Sequence, residues 1–262
     1  STYCAQAMSR FRRSTRRGGA AEIAPEDTSP VNPAPDVAVL VPARNESASL
    51  RATVEAIRRV AGRRCREILV ILAPDAPSAT RQTAERLVAE HPGVVRVHHQ
   101  RGAGLGRAVA EGFALASAEY VLLMAADLET DPEAIPRFLE KMAEGRWDIV
   151  AGSRWLPGGG FERYGWCKRW ANRAFQWFVG RLYGARLTDL SYAYRLYRRA
   201  ALEGIVWEEQ GHAMLLECLV KPLRLGARVG EVPCRWRRRD EGAGGPMWRQ
   251  GWRYLRLAVR VR

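Results

Sequence analysis

The sequence predicts an α/β fold with a mostly parallel central sheet flanked by helices. Three observations carry that expectation. Short, continuously apolar runs recur between Val37 and Ala151. Segments with apolar residues at helical spacing separate them, so strand and helix patterns alternate through five repeats. The strand-like runs do not alternate apolar with polar residues, which is the pattern of strands covered on both faces.

The elements follow in order. Val37–Val41 is an apolar run ended by Pro42 and reads as a buried strand. Asn45-Glu46-Ser47 is polar and suited to start a helix, and Leu50, Val54 and Ile57 follow at helical spacing. Ile68–Leu72 is a second strand. Ala73–Ala79 holds two prolines and reads as a loop, followed by a helix through Leu87. Val94–His98 is a third, more polar strand. Gly102-Ala-Gly-Leu-Gly106 opens a helix carrying Val109, Phe113 and Leu115. Tyr120–Met124 is a fourth strand, Pro132–Met142 a helix, and Asp148–Ala151 a fifth strand.

Beyond Ala151 the pattern changes. Gly158-Gly-Gly160 is a flexible loop and Trp166–Leu182 an aromatic, basic helix. Asp189–Tyr197 is mixed and polar. Gly211–Leu225 reads as a helix and Arg228–Trp236 as a strand. Residues 1–36 hold a basic cluster, Arg10–Arg17, and a Pro-rich stretch without periodicity, and are expected to be a disordered tail. The expected layout is therefore that tail, a catalytic domain over 37–245, and an amphipathic basic helix over 246–262.

Composition narrows the partners. The net charge is +14, and only Lys141, Lys168 and Lys221 among the 42 basic residues are lysines. Arginine grips phosphate with a two-pronged donor set. Phosphorylated substrates, anionic lipid and nucleic acid all fit the charge, but the arginines are dispersed and no nucleic-acid module is visible, so no specific nucleic acid is expected. The five cysteines lie far apart, which points to a reducing compartment. The expected location is cytoplasmic, at the inner face of a membrane if the acceptor is a lipid. No apolar run approaches the roughly 20 residues that span a bilayer.

In a parallel sheet, ligands bind beyond the carboxyl ends of the strands. Pro42–Glu46, Ala73–Asp75 and Ala125–Glu129 lie at such ends and should converge on one crevice. The last fragment ends a buried strand in carboxylates, an arrangement able to hold a divalent cation over a diphosphate. In an extended segment, residues 125, 127 and 129 point the same way. Two readings of Glu129 stand: it supplies a carboxylate that Ala125 lacks, or it is an ordinary exposed loop residue. Other constellations are weaker. Gly102, Gly104 and Gly106 at a helix start could approach phosphate. His98-His99 and Glu208-Glu209 fit packing or solvated surface better than chemistry. Trp248, Trp252 and Tyr254, interleaved with arginines, suit a membrane-surface helix or a helix packed on the domain.

Six motifs occur in order: Val39-Leu-Val-Pro42-Ala-Arg-Asn45-Glu46, Arg101-Gly-Ala-Gly104, Ala126-Asp127-Leu-Glu129-x-Asp131-Pro132, Gly152-Ser-Arg154, Asp189…Arg195 and Glu231-Val-Pro233. With these the chain resembles the inverting family-2 glycosyltransferases over about residues 37–240, and most nearly the dolichyl-phosphate mannose synthase-like, polyprenyl-phosphate branch. The resemblance implies the GT-A fold, a UDP- or GDP-sugar donor, Mg²⁺ or Mn²⁺, and a lipid-phosphate or small-molecule acceptor, with peripheral membrane contact. It implies nucleotide contacts at Pro42, Ala43, Arg44, Glu46, Asp75, Arg101 and Ala126. The metal ligands would be Asp127 and Glu129, with Asp127 and Asp189 catalytic. Arg154, Lys168, Arg169, Arg195 and Arg239 would line the acceptor-phosphate pocket. For Asp189, orienting an arginine, serving as base for a hydroxyl acceptor, and a structural salt bridge all remain open.

The chain departs from the family pattern at four places. Ala125 stands where relatives usually carry aspartate, and Ala73-Pro74 where they usually carry paired aspartates. Ser191-Tyr192-Ala193 replaces Thr-Ser-Gly, and Gly244-Gly245 replaces Ser-Lys. The alternative to an active transferase is a glycosyltransferase-fold protein that binds a phosphorylated ligand or a partner without transferring sugar.

Overall fold

The computed structural model describes residues 35–162, 165–237 and 247–262, with side chains of the last segment from 251 onward. The expected tail, except Pro35 and Asp36, lies outside the described residues, as do Arg239, Gly244 and Gly245 and the side chain of Trp248.

Seven strands form the central sheet in the order β3-β2-β1-β4-β7-β5-β8. They are β1 (Val37–Ala43), β2 (Cys65–Leu72), β3 (Val95–His99), β4 (Tyr120–Leu123), β5 (Ile149–Ser153), β7 (Arg195–Arg198) and β8 (Val229–Pro233). All neighbours are parallel except β7, which runs antiparallel between β4 and β5. The short pair β6 (Gly160–Phe161) and β9 (Arg235–Trp236) forms a second small sheet. Five of the strands sit where the apolar runs put them, with ends moved by a few residues. The expected strand over 228–236 breaks at Cys234 into β8 and β9.

Strand alternation divides the core. Val37, Val39 and Val41 face one layer with Leu50, Val54 and Ile57 of α1 (Ala48–Ala61), Leu87 of α2 (Ser78–Glu90) and Phe138 of α4 (Ile135–Ala143). Ala38 and Leu40 face the other layer. There they meet Val109 and Phe113 of α3 (Leu105–Leu115), Val179 of α5 (Trp166–Tyr183) and Leu216 and Leu219 of α6 (Met214–Arg224). Both faces of the sheet are thus covered, as continuous apolar strands require. The α7 helix (Met247–Arg260) packs through Leu257 and Ala258 into the second layer, and the Tyr183 hydroxyl donates to the Ala258 carbonyl at 2.8 Å. A helix packed on the domain is therefore the reading that holds for this segment.

Candidate active site

At the carboxyl ends of β1, β2 and β4 the three expected loops do meet. Ala43 pairs with Leu72, and the Ala73 amide continues the ladder by donating to the Ala43 carbonyl at 2.9 Å. On the other side the Met124 amide donates to Leu40. Glu46 turns its carboxylate back onto the loop and accepts from the Arg44 and Asn45 amides at 2.7 and 2.9 Å. Arg44 then reaches across to Asp75 and donates from Nε and Nη2, the latter at 2.5 Å. That hydrogen bond holds the Asp75 carboxyl below its usual range. Both side chains are more than half exposed, so the pair forms the wall of an open crevice. Pro42 is partly exposed, and Ala43 and Ala126 are buried.

The fragment after β4 does not continue as a strand. Residues 126 and 127 form a turn, and Leu128 has φ 59°, a left-handed conformation. It is the sole non-glycine residue with positive φ among those described. Such a conformation costs roughly 1–2 kcal/mol for a residue with a β-carbon and often marks a functional turn. Asp127 Oδ1 holds the turn by accepting from the Glu129 amide at 3.1 Å. The expectation that alternation aims residues 125, 127 and 129 one way therefore fails, because the chain is not extended there. Glu129 Oε2 instead accepts from Trp236 Nε1 at 3.2 Å.

Trp236 joins this fragment to the other half of the site. It bridges to Thr130, and the Arg237 amide donates to the Glu129 carbonyl. On its far edge β9 pairs Trp236 with Phe161. Phe161 lies edge-on to Trp155 at 4.9 Å, and the Arg154 guanidinium stacks 4.9 Å from Phe161 and 4.7 Å from Tyr192. Arg169 and Arg173 of α5 gather over Trp155 at 5.8 and 5.0 Å. Lys168 sits one residue earlier on the exposed start of the same helix.

Arg154 is nearly buried and Asp189 wholly so. Arg154 Nε and Nη2 grip the two Asp189 oxygens at 2.6 and 2.9 Å. Asp189 also accepts from the Arg154 and Tyr192 amides and from Gln176 Nε2. A carboxylate with this many donors is committed to holding an arginine, so of its three readings the geometry favours orienting Arg154. A further support comes from Glu231, whose carboxylate accepts from the Thr188 amide and hydroxyl and from the Asp189 amide. Burial pushes the Glu231 carboxyl up.

Residues 38–206 match the profile of glycosyl transferase family 2. The chain belongs to that family. It is 32% identical over 213 residues to an undecaprenyl-phosphate mannosyltransferase of Micrococcus luteus, covering 79% of this chain and 85% of that one. It is 29% identical over 225 residues to a polyprenol monophosphomannose synthase of Mycolicibacterium smegmatis, covering 83% of each. Its fold is similar to glucosyl-3-phosphoglycerate synthase of Mycobacterium tuberculosis, solved with Mn²⁺, UDP and phosphoglyceric acid. That likeness has a TM-score of 0.65 at 16% identity, over 87% of this chain and 77% of that one. The fold is GT-A, and the chain is a glycosyltransferase.

Within this glycosyltransferase Arg195 is a correction. It sits on β7 with no exposed surface, and its guanidinium donates to the Leu215 and Leu190 carbonyls at 2.5 and 2.7 Å. It ties the sheet to α6 and cannot line an acceptor pocket. Gly104 and Gly106 serve packing as well. A β-carbon on Gly106 would lie 2.0 Å from the Glu209 carbonyl oxygen, and one on Gly104 would lie 2.2 Å from that of Gln210. Arg101 is exposed at the edge of that loop, its amide directed to Glu111. His98 is hydrogen-bonded to Glu111, and Glu208–Lys221 and Glu209–Arg260 are surface ion pairs. One carboxylate–histidine group, Glu55, Glu90 and His91, has converging ligand atoms, but Arg51 and Arg58 close it into a network of ion pairs and hydrogen bonds.

Sequence reasoning missed the inner face of α5. Asn172 and Gln176, spaced i, i+4, both reach Ser191 Oγ, at 3.2 and 2.7 Å, and Ser191 in turn accepts from Arg154 Nη2. Two polar residues one helical turn apart, facing inward on an otherwise basic and aromatic helix, were the available signal.

Proposed function

We propose that this glycosyltransferase moves a sugar from a UDP- or GDP-sugar to a polyprenyl phosphate at the inner face of a membrane, with inversion at the anomeric carbon. The observation that carries the reading is the continuous link from Asp127 through Trp236 and Phe161 to the Arg154–Asp189 pair. It sets a carboxylate at a strand end beside a cationic, aromatic wall. The lipid-phosphate substrates named for the two mannosyltransferase relatives support the acceptor class.

An acceptor phosphate oxygen attacks the anomeric carbon. The bond from that carbon to the donor diphosphate breaks, and its electron pair leaves with the nucleoside diphosphate. A phosphate monoester is already anionic near neutral pH, so the attack needs positioning more than a strong base. Arg154, held by Asp189, and the exposed Lys168 and Arg169 supply that positioning. Arg239 stands in the same proposed set but lies outside the described residues.

The donor side takes Pro42, Ala43, Arg44, Glu46, Asp75, Arg101 and Ala126 as nucleotide contacts. Asp127 is half-exposed at the end of β4 and Glu129 two residues on. Asp127 is an oxygen ligand suited to a hard divalent cation that draws its remaining ligands from a diphosphate and water, and Glu129, whose Oε2 accepts from Trp236, stands second in the proposed set. Bound there, Mg²⁺ or Mn²⁺ would neutralise charge on the leaving diphosphate. The proposed catalytic unit is residues 37–245, followed by the amphipathic basic helix proposed over 246–262. Release of nucleoside diphosphate from UDP- and GDP-mannose, measured with a prenyl phosphate and titrated Mn²⁺, tests the reading. Metal-dependent release that requires the prenyl phosphate is expected. Nucleotide binding with no release under any donor would establish the binding-only alternative.

A further inference from the structure

A wholly buried carboxylate lies outside the site described above. Glu217 of α6 has no exposed surface. It accepts from the Glu208 and Glu209 amides at 3.0 and 2.9 Å, and pairs with Lys221 Nζ, one helical turn on, at 2.6 Å. Lys221 in turn donates to the Val206 carbonyl at 2.6 Å and to Glu208 at 2.9 Å. Residues 206–209 belong to no helix or strand, so these two side chains satisfy backbone groups that no ladder reaches.

The braced segment lies along α3. Trp207 packs on Phe113 with ring centroids 5.8 Å apart, and the Gln210 carbonyl accepts from the Gly106 amide at 2.8 Å. That amide belongs to the first turn of α3, where an unpaired N–H would suit a phosphate. The chain's own carbonyl takes it instead. From the other side Gln100 Nε2 donates to the Gly102 and Gly104 carbonyls. Gly102–Gly106 is thus set between Gln100 and Gln210, with the exposed Arg101 at its start. A buried ion pair adds little net stability over apolar residues of the same shape. Here it fixes one conformation of a segment that has no ladder of its own.

We propose that Glu217 is a positioning residue for the donor site. Through residues 206–210 and the Gly102–Gly106 turn it fixes where Arg101 meets the nucleoside diphosphate. The proposal rests on the reading of Arg101 as a nucleotide contact. Glu217 itself touches no substrate and moves no proton; it lies behind the turn, not in the wall of the crevice.

The test uses two variants. Glu217→Gln keeps the shape but turns an amide nitrogen, a donor, toward one of the two backbone donors. Glu217→Gln/Lys221→Met removes both charges and serves if the single variant folds poorly. Circular dichroism would verify both folds. By amide hydrogen exchange in NMR, Gly106, Glu208 and Glu209 should exchange about tenfold faster or more, with the β1 and β2 amides unchanged. Calorimetric titration with Mn²⁺ and UDP or GDP should give a Kd raised about tenfold, while KM for a short-chain prenyl phosphate stays within about twofold of wild type. In an Arg101→Ala background, Glu217→Gln should raise Kd no further, because both changes act at one place. Full additivity with Arg101→Ala would overturn the proposal, and so would faster exchange spread evenly over β1 and β2. A raised Kd in Arg101→Ala but in neither Glu217 variant would overturn the proposal alone. Wild-type Kd in Arg101→Ala would overturn the nucleotide reading of Arg101, and the proposal with it.

Discussion

The proposed donor and acceptor halves of the crevice are built differently. On the donor side the polar contacts are few, local and exposed: Glu46 folds onto its own loop, and Arg44 meets Asp75 in the open. On the acceptor side Arg154, Asp189, Ser191, Gln176, Thr188 and Glu231 form one buried, hydrogen-bonded network. A buried network of this kind is rigid before any ligand arrives. An open wall of two exposed side chains is not held in this way. Three of the four departures from the family pattern divide in the same way. Ala73-Pro74 and Ala125 thin the donor side, whereas Ser191 is absorbed into the acceptor network as an acceptor from three side chains.

The contrast is broken most severely by Asp189→Ala. It leaves the Arg154 charge buried without its partner, and a loss of about 3–5 kcal/mol in unfolding free energy is expected from urea denaturation. An unchanged midpoint would mean that the acceptor side is not pre-built. Asp127→Asn should leave stability near wild type and cut sugar transfer about a hundredfold or more, read as nucleoside diphosphate release. Activity within a few-fold of wild type would remove Asp127 from the site. Leu128→Asn places a residue tolerant of left-handed geometry at the strained turn. It should raise stability by roughly 0.5–1 kcal/mol in the same denaturation, and a loss would show the turn to be held by the leucine side chain.

A smaller effect concerns thiols. Burial pushes the Cys234 thiol up to about 12 and Cys65 to about 11, and Cys218 is raised as well, so each stays protonated in the native protein near pH 8. Cys167 at the start of α5 is exposed. Alkylation under native conditions, followed by peptide mapping, should label Cys167 and spare Cys65, Cys218 and Cys234. Labelling of Cys234, which lies directly behind the acceptor wall, would show that wall to open.

The parallel repeats and the crevice were readable because continuous apolar runs and helical spacing are local patterns. Val37–Val41 and Ile68–Leu72 announce themselves without reference to any distant residue. The central antiparallel strand β7 was not readable. Its four residues, Arg195-Leu-Tyr-Arg198, include two arginines, and the position is stabilised by partners on β4, β5 and α6 that are distant in sequence. For the same reason Arg195 resembled a ligand when it is a core residue. At Leu128 local pattern also misled: residues 125–129 follow an apolar strand and were read as extended, while the Asp127 carboxylate and the Trp236 strand hold a turn. Both failures come from long-range contacts overriding local preference.

The central claim is that Asp127 holds a divalent cation together with a nucleoside diphosphate at the end of β4. The most direct measurement is electron paramagnetic resonance of Mn²⁺ with UDP or GDP, in wild type and in Asp127→Asn. The account expects protein-bound Mn²⁺ in wild type only when one of the diphosphates is present, and none in the variant. Equal binding in both proteins would contradict it.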